Sequence, residues 1–123
     1  MKLFIFLGAV NMFLAVALGA FGAHGLEGKI SDRMIANWQT GALYHMIHAL
    51  ALLFIGLLAA KVGPSPLVTT GGWLIFAGIV CFSGSLYAIA LTGTKVIWPI
   101  TPTGGLAFLV GWACIAIAAI KKL

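Results

Sequence analysis

Two histidines three residues apart, His45 and His48, lie inside an apolar stretch with Tyr44 beside them. On a helix such spacing puts both imidazoles on one face. Imidazole ligates metals and haem, and it carries protons near neutral pH. Three chemistries fit the pair. One is a metal or haem site that also uses His24. Another is a proton or substrate relay. The third is structural: neutral rings hydrogen-bonded to Ser83, Ser85, Tyr87 or a backbone carbonyl would join helices together. A metal site lacks a clear third carboxylate or thiolate, and Glu27 and Asp32 approach only if their loop folds inward. The expectation is therefore no metal and no cofactor. The cost of burying a polar group without a partner makes the structural reading the base case.

Other candidates are weaker. Ser83-Gly84-Ser85-Leu86-Tyr87 carries two hydroxyls and a phenol, but it is not a G-x-S-x-G elbow and no acid completes a Ser-His-Asp set. No glycine loop is placed to cradle phosphate. A non-enzyme is expected. His24 sits among Gly22, Ala23 and Gly25, glycines that either admit a close neighbour or end a helix. Asn11 is a lone polar residue in an apolar run and is expected to bond across helices. Cys81 and Cys114 lie inside apolar runs and read as small hydrophobes.

The elements that hold these groups follow from composition. Of 123 residues, 63% are hydrophobic and 7% charged, with a mean hydropathy of +1.17. Soluble domains carry about 25% charged residues, so the solvent for this chain is lipid. A membrane-crossing helix needs about 20 mostly apolar residues. Four runs qualify, at 3–23, 41–61, 68–91 and 104–120. The first follows Lys2 but exceeds the apolar core of a signal peptide, so it reads as a span. The runs are continuous and too long for barrel strands. The expected fold is all-α: an antiparallel four-helix bundle in the membrane, a single transmembrane domain over 1–123. The stretch 24–40, with Ser31-Asp32 as a helix start, is expected to form a short interfacial helix. Trp38 and Trp98 are expected to anchor at headgroup level.

Burial does not drive helices together in lipid, so small residues spaced by four are expected to mark the contacts. Ala15, Gly19 and Ala23 form such a row in the first span, Gly84 and Ala88 in the third, and Ala107 and Gly111 in the fourth. Phe4, Phe13, Phe54 and Phe76 are expected to face lipid or a partner. Thr40-Gly41-Ala42-Leu43 and Thr103-Gly104-Gly105-Leu106 open the second and fourth spans alike, hinting at two related hairpins. The net charge of +5 comes from scattered basic residues, with no stripe for nucleic acid. Lys2, Lys61, Lys121 and Lys122 on one side outnumber Lys29, Arg33 and Lys95 on the other, which places both termini in the cytoplasm.

Several ordered strings occur together: Gly19-Ala20-Phe21-Gly22-Ala23-His24-Gly25-Leu26, Trp38-Gln39-Thr40-Gly41, Tyr44-His45 with His48-Ala49-Leu50-Ala51-Leu52, Phe82-Ser83-Gly84-Ser85-Leu86-Tyr87, and Ile100-Thr101-Pro102-Thr103-Gly104-Gly105 followed by Gly111-Trp112. Over nearly its whole length the chain resembles the domain-of-unknown-function 423 family of small four-span membrane proteins. The resemblance implies a bacterial plasma-membrane protein and supplies no activity or catalytic residue. The family's polar motif positions fall here on His24, Trp38, Tyr44, His45, His48, Ser83, Ser85, Tyr87 and Thr101. Antiparallel threading brings most of them toward one membrane face, where a shared polar pocket is expected. The function expected is a non-enzymatic bundle that stabilises the membrane or a membrane complex, as a homo-oligomer or with a membrane-protein partner. The alternative is binding or transport of a small molecule, lipid, proton or metal through that pocket.

Overall fold

The structure is a computed structural model that describes residues 2–94 and 97–123, so Lys95, counted above for orientation, lies outside the described residues. Its helices are α1 (Lys2–His24), α2 (Asp32–Val62), α3 (Pro66–Gly78), a π-helical turn (Ile79–Ser83), α4 (Gly84–Thr92) and α5 (Ile100–Lys122). The third span is α3, the π turn and α4 in one continuous run, Pro66–Thr92. All four spans are long and apolar enough to cross a membrane.

Local chemistry sets the ends. Ser31 caps α2 by accepting from the Met34 N–H at 3.2 Å. Ser65 does the same for α3, whose first residue is Pro66. Gly63 and Gly93 take positive φ just beyond α2 and α4, where a side chain would be strained. The interfacial helix expected over 24–40 is not a separate element. From the Ser31 cap onward that stretch is the start of α2. At 31 residues, α2 is about 46 Å long against a hydrocarbon core of about 30 Å. Asp32 and Arg33 put charge in its first turn, which marks that end as the one directed toward the headgroups.

Two antiparallel pairs make the bundle, α1 with α2 and α3 with α5. Along the first, Gly8 lies against Ala49 and Leu53, Gly19 against Ala42 and Met46, and Gly22 against Trp38. The buried face of α1 is Phe4, Gly8, Asn11, Ala15 and Gly22, and that of α5 is Gly104, Phe108, Gly111, Ile115 and Ala118. Spacings of three and four are those of left-handed helix packing. Gly71 and Gly111 meet backbone to backbone: a Cβ on either would stand 3.2 Å from the other's carbonyl oxygen.

Several expected packing positions move. Ala15 and Gly111 are buried in contacts, Gly19 meets the Met46 methyl, and Ala88 and Ala107 are half-buried. Ala23 and Gly84 face outward. Ala23 lies one residue past Gly22, about 100° round the helix from the face that α2 covers. Gly84 would find nothing within 4 Å of an added Cβ. Phe4, expected to face lipid, is fully buried because its ring fills the space above Gly72. Phe13 and Phe54 are exposed as expected. Trp38 is 2% exposed and is no headgroup anchor; its indole N–H donates to the Leu18 carbonyl at 2.8 Å, and Gly22 leaves room for the ring. Trp98 is exposed.

The core divides by depth. Toward the end with both chain termini it is wholly apolar, built from Phe4, Leu52, Ile55, Val68, Ile75 and Ile115. Toward the α1–α2 loop lies a smaller cluster of Leu26, Trp38 and Ala90. The polar side chains fall between and around that second cluster.

At Gly104 an added Cβ would strike the backbone of Cys81 and Phe82, which cannot yield as a side-chain tip can. Gly104→Ala is expected to cost about 1–3 kcal/mol. Gly84→Ala, in open space, is expected to be neutral or to gain up to about 1 kcal/mol of helix propensity. Unfolding in mixed micelles, with both variants run beside the parent, checks the contrast.

Candidate functional site

The polar residues hang on α2, which packs against both α1 and the third span. Trp38, Gly41, His45 and His48 follow one another at helical spacing on its buried side. Opposite them stands the π turn, where the Gly84 N–H reaches back five residues to the Ile79 carbonyl. Gly41 lets α2 lie on this widened turn, since a Cβ there would be 3.2 Å from Leu86 and Tyr87 and 3.3 Å from the Ser83 carbonyl oxygen.

His45 joins three helices. Asn11 Nδ2 donates to the Leu7 carbonyl at 2.8 Å, so its Oδ1 is left to accept. His45 Nε2 lies 2.9 Å from that oxygen and must carry the proton. Its Nδ1, 3.0 Å from the Tyr87 hydroxyl, is then the acceptor. For the neutral ring the chain reads Tyr87 O–H to His45 to Asn11 to the Leu7 carbonyl, with the proton on Nε2. The reverse orientation of the Asn11 amide would set its oxygen against the Leu7 oxygen. Tyr87 is held from its other side by Trp38, with ring centroids 4.6 Å apart.

His48 is bound differently. Its Nδ1 donates to the Tyr44 carbonyl one turn back, at 2.8 Å. Its Nε2 accepts from the Trp112 indole N–H at 3.0 Å. The ring stacks on Phe108 at 3.6 Å between centroids and 8° between planes. A third link sits nearer the loops. The Ser85 hydroxyl donates to the Phe82 carbonyl, so it accepts from the Thr101 hydroxyl at the start of α5.

The residues singled out in the sequence thus pair off instead of lining one pocket. Tyr87 and His45 close on each other, and Ser85 on Thr101. Tyr44 and His48 line an outer groove between α2 and α5, and Thr101 lines a separate recess nearer the loops. Ser83 Oγ is buried without a hydrogen-bond partner. His24 is exposed and belongs to none of these links. It stands two residues past Gly22, on nearly the opposite side of α1 from the packed face. Among the described residues, no three of His, Cys, Asp and Glu gather to hold a metal ion. Sequence reasoning missed Trp112 as the partner of His48. The available signal was Phe108 four residues earlier, which puts two aromatic rings on one face of α5. The π turn has no comparable signal in its residues.

Four apolar spans linked by buried side-chain hydrogen bonds define a polytopic α-helical membrane protein. The model of the family described as "Protein of unknown function (DUF423)" matches residues 18–105, and the chain belongs to that family. It is 56% identical to the UPF0382 membrane protein YwdK of Bacillus subtilis (strain 168), over 100% of both chains. It is 53% identical to the UPF0382 membrane protein SAB0533 of Staphylococcus aureus (strain bovine RF122 / ET3-1), over 98% of each. It is 50% identical to SERP0230 of Staphylococcus epidermidis, again over 98% of each. No solved structure matches the chain.

Asn11 and Tyr87 are coupled only through His45, so their effects on stability should not add. A double-mutant cycle with Asn11→Ala and Tyr87→Phe is expected to show coupling of about 0.6 kcal/mol, with roughly 1.7 kcal/mol as a ceiling. Strict additivity would mean that the chain of bonds is not maintained in the membrane.

Proposed function

We propose that this protein is a non-enzymatic structural or accessory bundle of the bacterial plasma membrane, acting through self-association or contact with a membrane-protein partner. One observation carries the reading: each nitrogen of the two buried imidazoles is already occupied. His45 spends both on Tyr87 and Asn11, and His48 spends both on Tyr44 and Trp112. An imidazole used in this way must give up a helix-joining hydrogen bond before it can ligate a metal or meet a substrate. The Tyr87–His45–Asn11 chain ends on a backbone carbonyl, which passes no proton onward. This supports the histidines as joints between helices over a relay or a ligand site. The outward-facing Gly84 leaves a place where another helix can approach closely. Lys2, Lys61, Lys121 and Lys122 at one end of the bundle support cytoplasmic termini.

Replacement of His45 and His48 by Asn, singly and together, tests the role of the rings. The expected result is a lower unfolding temperature and weaker assembly, with no bound species lost. Survival of fold and assembly alongside disappearance of a co-purifying metal or haem would overturn the reading. Cross-linking and native mass spectrometry in lipid are expected to give oligomers or a defined partner. A strictly monomeric, partnerless protein refutes the accessory role.

A further inference from the structure

Arg33 stands in the first turn of α2, next in sequence to Asp32 but lining a different recess from either carboxylate of the protein. The chain has only two acidic residues, Glu27 and Asp32. Both line a recess on the α1 side of α2, together with Gly22, Ala23, Ile35 and Gln39. Arg33 lines a different recess, of about 390 Å³, between the start of α2, the end of α4 and the start of α5. Its polar neighbours there are the Asn37 amide and the Trp98 indole; the Thr101 hydroxyl is already turned to Ser85. The floor is apolar, from Leu86 and Ile89. The recess is lined by an arginine, a tryptophan and an asparagine whose Nδ2 lies 3.8 Å from the Met34 sulfur, with no carboxylate in its lining, and these are side-chain types that donate to an anion.

A second groove adjoins this recess. Pro102 lines both the recess and that groove, of about 810 Å³, which follows the α2–α5 seam toward mid-membrane. That groove is walled by Leu43, Tyr44 and Ile47 of α2 and by Leu106, Leu109 and Trp112 of α5, with Phe82 and Phe108 at its base. From Asn37 to His48, α2 rises about 16 Å. One leaflet's share of a hydrocarbon core about 30 Å thick is about 15 Å. The anion-binding end thus sits beside the loops, and the apolar groove runs one leaflet deep beneath it.

We propose that the α2–α5 seam is a binding site for an anionic glycerophospholipid, with the phosphate at Arg33, Asn37 and Trp98 and an acyl chain along the Tyr44–Leu106–Trp112 groove. A free phosphate ion would use the upper recess alone and leave the groove to bulk lipid. The two recesses adjoin at Pro102, which sets a basic, polar end next to an apolar groove and favours a single amphiphile that spans both. The groove passes the His48–Trp112 bond, which lines it, but the phosphate end at Arg33 lies outside the histidine links, and the site does not depend on whether the bundle is accessory.

The test is native mass spectrometry of the full chain from nanodiscs of phosphatidylglycerol or of phosphatidylcholine with identical acyl chains. The parent is expected to retain phosphatidylglycerol in preference. Arg33→Gln is expected to weaken that retention about tenfold, the scale of one lost charge-assisted bond, with Arg33→Lys in between. Gly105→Leu is expected to reduce retention of both lipids, because Gly105 lines the groove and an added Cβ meets only the Phe82 ring, 3.8 Å away, an ordinary contact. Each variant's unfolding curve confirms that it is folded. Equal retention of the two lipids by the parent overturns the proposal, as does an Arg33→Gln variant that behaves like the parent. If Gly105→Leu has no effect while millimolar inorganic phosphate displaces the bound species, the site is for a free anion and the lipid assignment fails.

Discussion

Close backbone contact at glycine is the condition on which this bundle rests. Lipid surrounds the helices with a medium as apolar as their own side chains, so bringing them together gains little from the hydrophobic effect. What remains is van der Waals contact, whose strength depends on distance. Gly71 against Gly111, Gly104 against the Phe82 backbone, and Gly8 against Ala49 and Leu53 set how near the axes come. Large side chains then fill the spaces these contacts create. Phe4 lies over Gly72, Phe108 over Gly78 and Trp38 over Gly22. Each is a paired choice, one residue absent so that another can be large.

That spacing also makes the polar links possible. An indole on α5 reaches an imidazole on α2, and an amide on α1 reaches another, because the helices are already at contact distance. In lipid an unpaired buried group finds no water to replace a lost partner. The links therefore act as a check on register: a helix slipped by one turn would leave Asn11, His45 and Tyr87 unsatisfied together. The other half is filled mainly by aliphatic and aromatic side chains, with Ser65 buried there as the cap of α3. The polar links thus add to the glycine contacts in setting register in the half nearer the α1–α2 loop. The π turn lies in the same region, where its wider coil is accommodated by Gly41 on one side and Gly104 on the other.

The outside of the bundle follows from the same arrangement. Because α5 packs mainly on α3 and the π turn, and α2 mainly on α1 and α4, a seam stays open between α2 and α5. Its depth is a consequence of the fold. The cation in the adjoining recess reflects which side of α2 each loop charge takes, with Glu27 and Asp32 toward α1 and Arg33 away from it.

The sequence by itself determined the solvent, the number of spans and their helical form, because transfer into lipid and internal hydrogen bonding are properties of each segment alone. It also located Ser31 as a helix start and singled out Asn11, His45, Ser85 and Tyr87 as polar groups in need of partners. It did not determine who the partners are. His24 reads like a member of the cluster but sits off the packed face, and Trp38 reads like an interface anchor but is buried. Those outcomes depend on how each helix is rotated about its axis and slid along its neighbour. Rotation and register are set by contacts between glycines and rings far apart in the chain, and only the assembled tertiary structure fixes them.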